Sequence, residues 1–188
     1  MEKDKYQRFK EQVWATRISR VNAEKRLINK EDFFQGINIY YSCITIVFSI
    51  LSLYYHDDEL SLMTVFMTIS LLIVILYLNG QKYLEHAREY RKNYTEIHKL
   101  EFQLEHLDEE RENEIQAIEN KYCELLDSSS NHTSYDYYCT VYGSNKIYKE
   151  ERWKGIWWKF YLNITWRVIV KILVVILPVL LFWLCKMI

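Results

Sequence analysis

The sequence contains few residues that interrupt a helix, with one proline and four glycines among 188 residues. This is far below the average usage of about 5% proline and 7% glycine, and the chain is rich in Lys, Glu, Leu, Ile and Tyr, so the composition predicts mostly helix. The four cysteines lie in different segments without a CxxC pair, which argues against a disulfide framework or a zinc site. The net charge of −1 excludes an overall field that would recruit nucleic acid or an anionic surface.

Two long stretches lack charged residues, Phe33–Tyr55 and Leu60–Gln81, and only His56-Asp57-Asp58-Glu59 separates them. About 20 apolar residues in a helix cross a hydrocarbon core of roughly 30 Å, so each stretch is long enough to span a membrane. The short gap permits only a tight turn, and the sequence therefore predicts an antiparallel transmembrane hairpin, which rules out most soluble enzymes. Tyrosines mark the ends of both spans, as in an aromatic belt: Tyr40, Tyr41, Tyr54, Tyr55, Tyr77 and Tyr83.

The positive charges predict the orientation of the hairpin. Basic residues precede the first span and follow the second, whereas the turn between them carries only acids; the flanking cations are Arg26, Lys30, Lys82, Arg88, Arg91 and Lys92. Because cytoplasmic flanks are enriched in Lys and Arg, we expect the N-terminus and the central arm in the cytoplasm and the turn outside.

The hairpin, residues 36–80, lies between two predicted helical arms. Residues 1–35 form the first arm, an amphipathic helix over residues 4–31, with Gly36 as the first breaker. Its apolar side is predicted to hold Trp14, Ile18, Val21 and Ile28, with Arg17, Arg20 and Arg26 around the others. Residues 81–127 form the second arm, in which apolar residues at steps of three and four define a seam that also includes Glu101, Asp108 and Arg111. The apolar seam residues are Tyr83, Ala87, Tyr90, Tyr94, Ile97, Leu104, Ile115, Ile118, Tyr122 and Leu125. The heptad register breaks around Leu107–Asn113, so two packed helices and one long interrupted helix are both open.

The last third of the chain is aromatic. Residues 128–163 are predicted as a tyrosine-rich loop to residue 150, with a short strand at Tyr137–Tyr142 as the alternative, and then a basic-aromatic segment at the membrane interface. Residues 164–188 are predicted as a third membrane segment that is kinked at Pro178, with its C-terminus outside. Lys171 lies near the cytoplasmic end, where a lysine can extend to the interface at low cost. A re-entrant or buried segment is the alternative.

The sequence predicts no enzyme, no metal site and no cofactor. No nucleophile lies beside a base in a recognisable motif, no glycine-rich loop could cradle a phosphate, and the five histidines are scattered. The cluster Asp57-Asp58-Glu59 could bind a divalent cation, but a charged turn outside a hairpin explains it better.

Small polar residues follow the hairpin at alternating spacings of four and three, which places them along one face of each span. They could pack helices closely through hydrogen bonds, the favoured interpretation, or line a water-filled path between subunits. Either use implies oligomers, because one hairpin cannot enclose a pore. The candidates are Asn38, Ser42, Thr45, Ser49, Ser52, Ser61, Thr64 and Thr68.

Nearly the whole chain resembles the SLATT family of two-transmembrane-helix proteins. The resemblance rests on Trp14-x-Thr16-Arg17-x-Ser19-Arg20-x-Asn22-Ala23-x-x-Arg26-Leu27 ahead of the hairpin. It continues through Tyr90, Leu100, Leu104 and Leu107, and then Tyr122, Leu125 and Asn131-His132-x-x-x-Asp136-Tyr137. SLATT proteins occur beside nucleotide-second-messenger synthases, SLOG sensor domains or reverse transcriptases in bacterial conflict operons, and this chain is similar to the reverse-transcriptase subgroup. It departs from the family name in having a third apolar segment.

The resemblance implies an all-α effector of antiphage, abortive-infection type immunity in the bacterial inner membrane. Such an effector would oligomerise and permeabilise the membrane when an operon partner, a reverse transcriptase or a nucleotide-second-messenger synthase, signals infection. The alternative is a membrane anchor or regulatory subunit for a cytoplasmic partner. The residues that could contact a nucleotide, a nucleic acid or a partner are Arg17, Arg20, Asn22, Arg26, Asn131, His132, Asp136 and Tyr137. The competing interpretation is that the arginines pair with acids of the 82–127 arm and that the loop residues fix their own backbone.

Overall fold

The computed structural model describes residues 3–108, 111–143 and 153–187, and the regular structure within these ranges is entirely helical. The helices are α1 (Lys3–Tyr55), α2 (Asp58–Gly80), α3 (Tyr83–Glu105), α4 (Glu112–Asp127), α5 (Ser134–Gly143) and α6 (Trp153–Met187). They form two compact units, which we call the helical unit (residues 1–28 and 84–163) and the membrane unit (residues 29–83 and 164–188). The prediction of an all-α membrane protein is confirmed.

The core of the helical unit lies between the first part of α1 and the helices α3 and α4. Its buried apolar side chains are Tyr6, Val13, Ile97, Leu100, Leu104, Ile115, Ile118 and Tyr122. The residues from α3 and α4 follow steps of three and four, because this spacing places side chains on one helix face. The predicted seam of the second arm is therefore the seam that packs against α1.

The break predicted near residue 107 is real, because α3 ends at Glu105 and α4 begins at Glu112. The last carbonyls of a helix lack intrahelical donors, and here a side chain from α1 supplies one. The Tyr6 hydroxyl lies 2.7 Å from the carbonyl oxygen of Leu104 and 2.9 Å from that of Leu107. Two packed helices, rather than one interrupted helix, is the arrangement that forms.

Within the described residues, three helices are long and apolar enough to cross a membrane, and their apolar windows lie in Lys5–Tyr55, Asp58–Glu105 and Phe160–Leu177. The first two form the predicted hairpin, since only His56 and Asp57 separate α1 from α2. The Asp57 carboxylate accepts the N–H groups of Glu59 and Leu60 at 3.0 and 3.1 Å and so caps α2. The acidic turn thus has a structural role.

Two boundaries in the first arm and the tyrosine-rich segment were predicted wrongly. Gly36 does not interrupt α1, because a single glycine costs a helix only about 1 kcal/mol, which the surrounding residues outweigh. Residues 134–143 form helix α5 rather than a loop or strand. Residues 144–152 of the predicted loop lie outside the described residues.

The buried face of α1 in the helical unit also differs from the prediction. Trp14, Ile18, Val21 and Ile28 are only partly buried. The deeply buried positions are instead Val13, Ala15, Ser19, Arg20, Ala23, Glu24 and Leu27. Polar residues lie on this face because their hydrogen-bond partners on α3, α4 and α5 lie inside the unit. The spacing of hydrophobic residues alone cannot identify such buried polar positions.

The aromatic segment from Trp153 and the apolar segment to Met187 form one continuous helix, α6, which passes through Pro178. The third apolar segment is therefore helical and long enough to span a membrane. The position of its first turns at a membrane interface, a kink at Pro178 and an external C-terminus stay predictions.

Candidate functional site

The polar motif on α1, residues 16–26, is the densest set of side-chain interactions in the helical unit. Thr16 Oγ1 lies 2.7 Å from the Tyr122 hydroxyl on α4. Arg17 forms an ion pair with Glu101 on α3, and its Nη2 donates to Glu101 Oε1 at 3.3 Å. This pair agrees with the interpretation that the motif arginines pair with acids of the second arm. It joins one of the candidate arginines to Glu101, an acid at a seam position.

A second group of motif residues contacts α5. Ser19, Asn22 and Arg26 lie three and four residues apart, so they share a face of α1. The Ser19 and Thr140 hydroxyl oxygens are 2.9 Å apart, and Asn22 Nδ2 donates to Thr140 Oγ1 at 3.0 Å and to the Asp136 carbonyl at 3.3 Å. Asn22 and Asp136, which were candidate signal contacts, thus contact each other.

Arg26 and Asp136 form a bidentate ion pair between α1 and α5. Arg26 Nε and Nη2 donate to Asp136 Oδ1 and Oδ2 at 2.8 and 3.0 Å, and the Asp136 side chain is 0% exposed. The same carboxylate accepts the Thr133 N–H at 3.0 Å and the Thr133 hydroxyl at 2.7 Å. Since Thr133 precedes α5, the bond from its N–H to Asp136 is one half of a capping box; the Asp136 N–H bonds to the Thr133 carbonyl at 3.0 Å rather than to its hydroxyl. One carboxylate therefore both starts α5 and docks it on α1.

Arg20 is the exception among the motif arginines, because its partner is a backbone carbonyl. It is 1% exposed, and its Nη1 donates to the Leu125 carbonyl at 3.1 Å. Asn93 Nδ2 donates to the same oxygen at 2.7 Å. Within the described part of the chain, Arg20 Nε and Asn93 Oδ1 have no hydrogen-bond partner. Burial lowers the pKa of Arg20, and the neighbouring Tyr122 and Tyr90 oppose that shift.

The segment before α5 lies beside the same buried cluster. Tyr90 on α3 donates its hydroxyl to the Asn131 carbonyl at 3.0 Å. His132 is partly buried, and burial lowers its pKa below the ordinary value of 6.5; Asp136 raises the pKa and Arg20 lowers it further. Tyr137 is partly exposed at the surface of α5. Of the eight candidate contacts, Arg20 and Asp136 are buried, Asn131 is exposed and the other five are partly buried.

Sequence reasoning missed Glu24, Asn93 and Thr140, which are all buried. Glu24 accepts Arg91 Nε at 2.6 Å. Asn93 lies in the same stepped register as the buried α3 residues, and a polar residue in an apolar register is the signal that would have identified it. Thr140 lies four residues after Asp136, so it shares that face of α5.

The polar stripe of the hairpin divides by exposure. Ser52 and Thr64 are buried in the membrane unit, Asn38, Ser42 and Thr45 are partly buried, and Ser49, Ser61 and Thr68 are exposed. Several hydroxyls donate to the preceding turn of their own helix, including Ser42 to the Asn38 carbonyl at 2.8 Å and Thr68 to the Thr64 carbonyl at 2.7 Å. Such bonds satisfy the hydroxyl in lipid and leave the side chain free to face either another helix or water.

No group of three or more His, Cys, Asp or Glu residues that could hold a metal ion occurs among residues 3–108, 111–143 and 153–187. The chemistry of the helical unit is instead that of interlocked hydrogen bonds and ion pairs.

Comparison with known families places these features in context. The family described as SMODS and SLOG-associating 2TM effector domain family 5 matches residues 2–184, which includes the α1 motif, the hairpin and α6. Comparisons with curated proteins and with solved structures give no match. Because the family match extends over almost the whole chain, the protein belongs to the SMODS and SLOG-associating 2TM effector domain family 5.

Proposed function

We propose that this protein is a non-enzymatic, pore-forming effector of a bacterial antiphage system of the abortive-infection type. Copies of the chain oligomerise in the inner membrane and permeabilise it when a partner signals infection. The observation that carries the proposal is the membership of an effector family by a chain whose membrane helices bury few residues within the single chain. The same proposal places this chain in the subgroup of the family that occurs beside reverse transcriptases.

The exposure of the membrane helices supports oligomerisation. In the three apolar windows, 6%, 11% and 0% of the residues are buried within the single chain. Lipid or neighbouring copies must cover the remainder, and one hairpin cannot enclose a water-filled path. Among the stripe residues, Ser49, Ser61 and Thr68 are exposed and so are the candidates to face a pore.

The helical unit is the candidate receiver of the signal. It carries the family motif of α1, and its polar side chains come from four helices. In this proposal the helical unit is cytoplasmic and responds to an operon partner or to a nucleotide or nucleic acid that the partner makes. Rearrangement of the helical unit then changes the packing of the hairpins.

One observation favours a second function, that of a membrane anchor or regulatory subunit. Ser52 and Thr64 are buried within the membrane unit, and the Ser52 hydroxyl donates to the Asp57 carbonyl at 3.1 Å. Part of the stripe is therefore used for packing, as in any membrane bundle. An anchor would need only a stable hairpin, so a foreign two-span hairpin in place of residues 36–80 would preserve its function.

Membrane potential distinguishes the two functions. Dye fluorescence is recorded in cells that make the protein with and without its genomic neighbours, before and after phage challenge. The test variant is Ser49→Leu with Thr68→Leu, which makes the exposed stripe apolar. The matched control is Val47→Leu with Val65→Leu, which introduces the same leucine side chain at exposed apolar positions of the same two helices.

A pore predicts depolarisation that requires both the chain and the trigger, is lost in the stripe variant and is retained in the control. All variants must be shown to insert and assemble equally. A membrane that stays polarised while the cells remain protected would eliminate the pore and leave the anchor.

A further inference from the structure

Pro178 leaves one backbone carbonyl of α6 without a hydrogen-bond donor from its own helix. In an α-helix, each carbonyl accepts the N–H of the residue four positions later. Proline has no N–H, so the carbonyl four residues before Pro178, which belongs to Val174, receives no hydrogen bond from residue 178. In hydrocarbon no water can replace the missing donor, so a proline in a membrane helix needs a donor from a neighbouring element.

The membrane unit supplies that donor from α1. The Tyr41 hydroxyl donates to the Val174 carbonyl at 2.7 Å. The adjacent Tyr40 hydroxyl donates to the Val175 carbonyl at 3.1 Å. Val175 differs from Val174 because residue 179 has an N–H that can donate to the Val175 carbonyl, whereas Pro178 has none to donate to the Val174 carbonyl.

A second contact lies nearer the start of the membrane part of α6. The Lys171 ammonium lies 4.6 Å from the centre of the Phe33 ring, a geometry in which a cation is attracted to the ring face. The two contacts follow the same order along α1 and α6, Phe33 with Lys171 and Tyr41 with Val174. Helix α6 is thus docked on α1 at two levels.

We propose that the Tyr41 hydroxyl replaces the backbone N–H that Pro178 lacks and thereby acts as a latch that holds α6 against the hairpin. The latch is specific because the need for it comes from Pro178 alone. Separation of α6 from α1 would expose the Val174 carbonyl to lipid unless another donor, such as a tyrosine of a second copy, took its place.

A double-mutant cycle tests the dependence of Tyr41 on Pro178. In the full-length chain, the native cysteines are replaced by alanine, and Phe33→Cys with Lys171→Cys reports docking by cross-linking with a short bismaleimide, which bridges the two thiols in a brief pulse. The pulse is applied along an SDS titration in mixed micelles, where docked and undocked states are both populated. The background chain, Tyr41→Phe, Pro178→Ala and the double variant are compared, with Tyr40→Phe as the matched control.

With Pro178 present, Tyr41→Phe should lower the ratio of docked to undocked chain about threefold, the change expected from one average side-chain hydrogen bond in a membrane protein. In Pro178→Ala, which restores the N–H, Tyr41→Phe should have no effect, and Tyr40→Phe should have the same small effect in both backgrounds. Equal effects of Tyr41→Phe in both backgrounds, or no effect in either, would overturn the latch. If Tyr41→Phe fails to insert, as judged by alkaline extraction, rescue of insertion by Pro178→Ala supports the latch and failure to rescue contradicts it.

The role of the latch in activity rests on the proposed function. If α6 must leave α1 for the hairpins to open, Tyr41→Phe should depolarise cells without a trigger, and Pro178→Ala should suppress that leak. Because the docking cycle requires no activity, absence of depolarisation in every variant, with the trigger as well as without it, would refute the proposed function and leave the latch intact.

Discussion

Helix α5 should depend on a single carboxylate, and Asp136→Leu should unfold it locally. The helix has ten residues, whereas isolated helices shorter than about 12–15 residues are marginal in water. Its stability must therefore come from its cap and its docking on α1. Asp136 provides both, because it accepts two bonds from Thr133 and two from Arg26.

The expected loss follows from the burial of this pair. Asp136 is 0% and Arg26 12% exposed, and removal of one partner of a buried ion pair costs about 3–5 kcal/mol because the other charge is left uncompensated. At about 1.4 kcal/mol per factor of ten, the opening equilibrium of α5 should rise more than a hundredfold. A loss of this size exceeds what a ten-residue helix can supply through its own propensity.

Amide hydrogen exchange of the full-length protein in lipid nanodiscs measures this effect directly. Amides of residues 134–143 should lose their protection in Asp136→Leu, and those of α3 should change much less. The matched control is Glu96→Gln, which breaks the ion pair between Glu96 and Lys99. That pair is 38% and 63% exposed and should contribute well under 1 kcal/mol.

Two outcomes would refute this account of α5. Unchanged protection of residues 134–143 in Asp136→Leu would show that the ion pair and the bonds to Thr133 do not hold the helix. The second concerns Arg26→Leu combined with Asp136→Leu. Because two apolar side chains leave no buried charge, the double variant should protect α5 better than Asp136→Leu alone. Additive losses in the double variant would mean that the two residues do not act as a pair.

Two further predictions concern the same unit. Burial lowers the pKa of His132 in the folded protein, so the unfolded chain binds more protons than the folded chain as the pH falls below 6.5. Acidification from pH 6.5 should therefore destabilise the native protein more than the His132→Gln variant. Equal pH slopes of the unfolding midpoints of the two proteins would refute this. Tyr6→Phe should cost about 1 kcal/mol and increase exchange at the end of α3, because the Leu104 carbonyl loses its donor, whereas Phe102→Leu at an exposed position nearby should not.

Patterns that repeat along one helix were predictable from the sequence. Three features depend only on residues that are close together in the sequence, so their spacing identifies them: the uncharged spans, the short acidic turn, and the apolar residues at steps of three and four from Ala87 to Tyr122. The break between α3 and α4 was predictable for the same reason, since polar residues occupy the seam there.

Features that depend on contacts between distant segments were not predictable. Tyrosines and the β-branched Thr140 and Val141 in residues 134–143 favour a strand by local preference, and the helix forms there because Asp136 pairs with Arg26, 110 residues away in the sequence. The buried face of α1 was misassigned because Ser19 and Arg20 find their partners on α4 and α5. The bond from Tyr41 to Val174 likewise follows from tertiary packing, although Pro178 alone indicates that some donor is needed.

The engagement of the α1 motif limits how a signal could act through it. Arg17 and Arg26 already pair with Glu101 and Asp136, so an anionic ligand that bound either guanidinium would have to displace a carboxylate. A ligand shifts an equilibrium only by its differential affinity for the two states. The binding free energy of such a ligand would therefore have to offset the loss of the ion pair, and its binding would separate α1 from α3 or α5. Ligand binding at these arginines and separation of the helices are consequently coupled, so a signal at the motif must change the conformation of the helical unit.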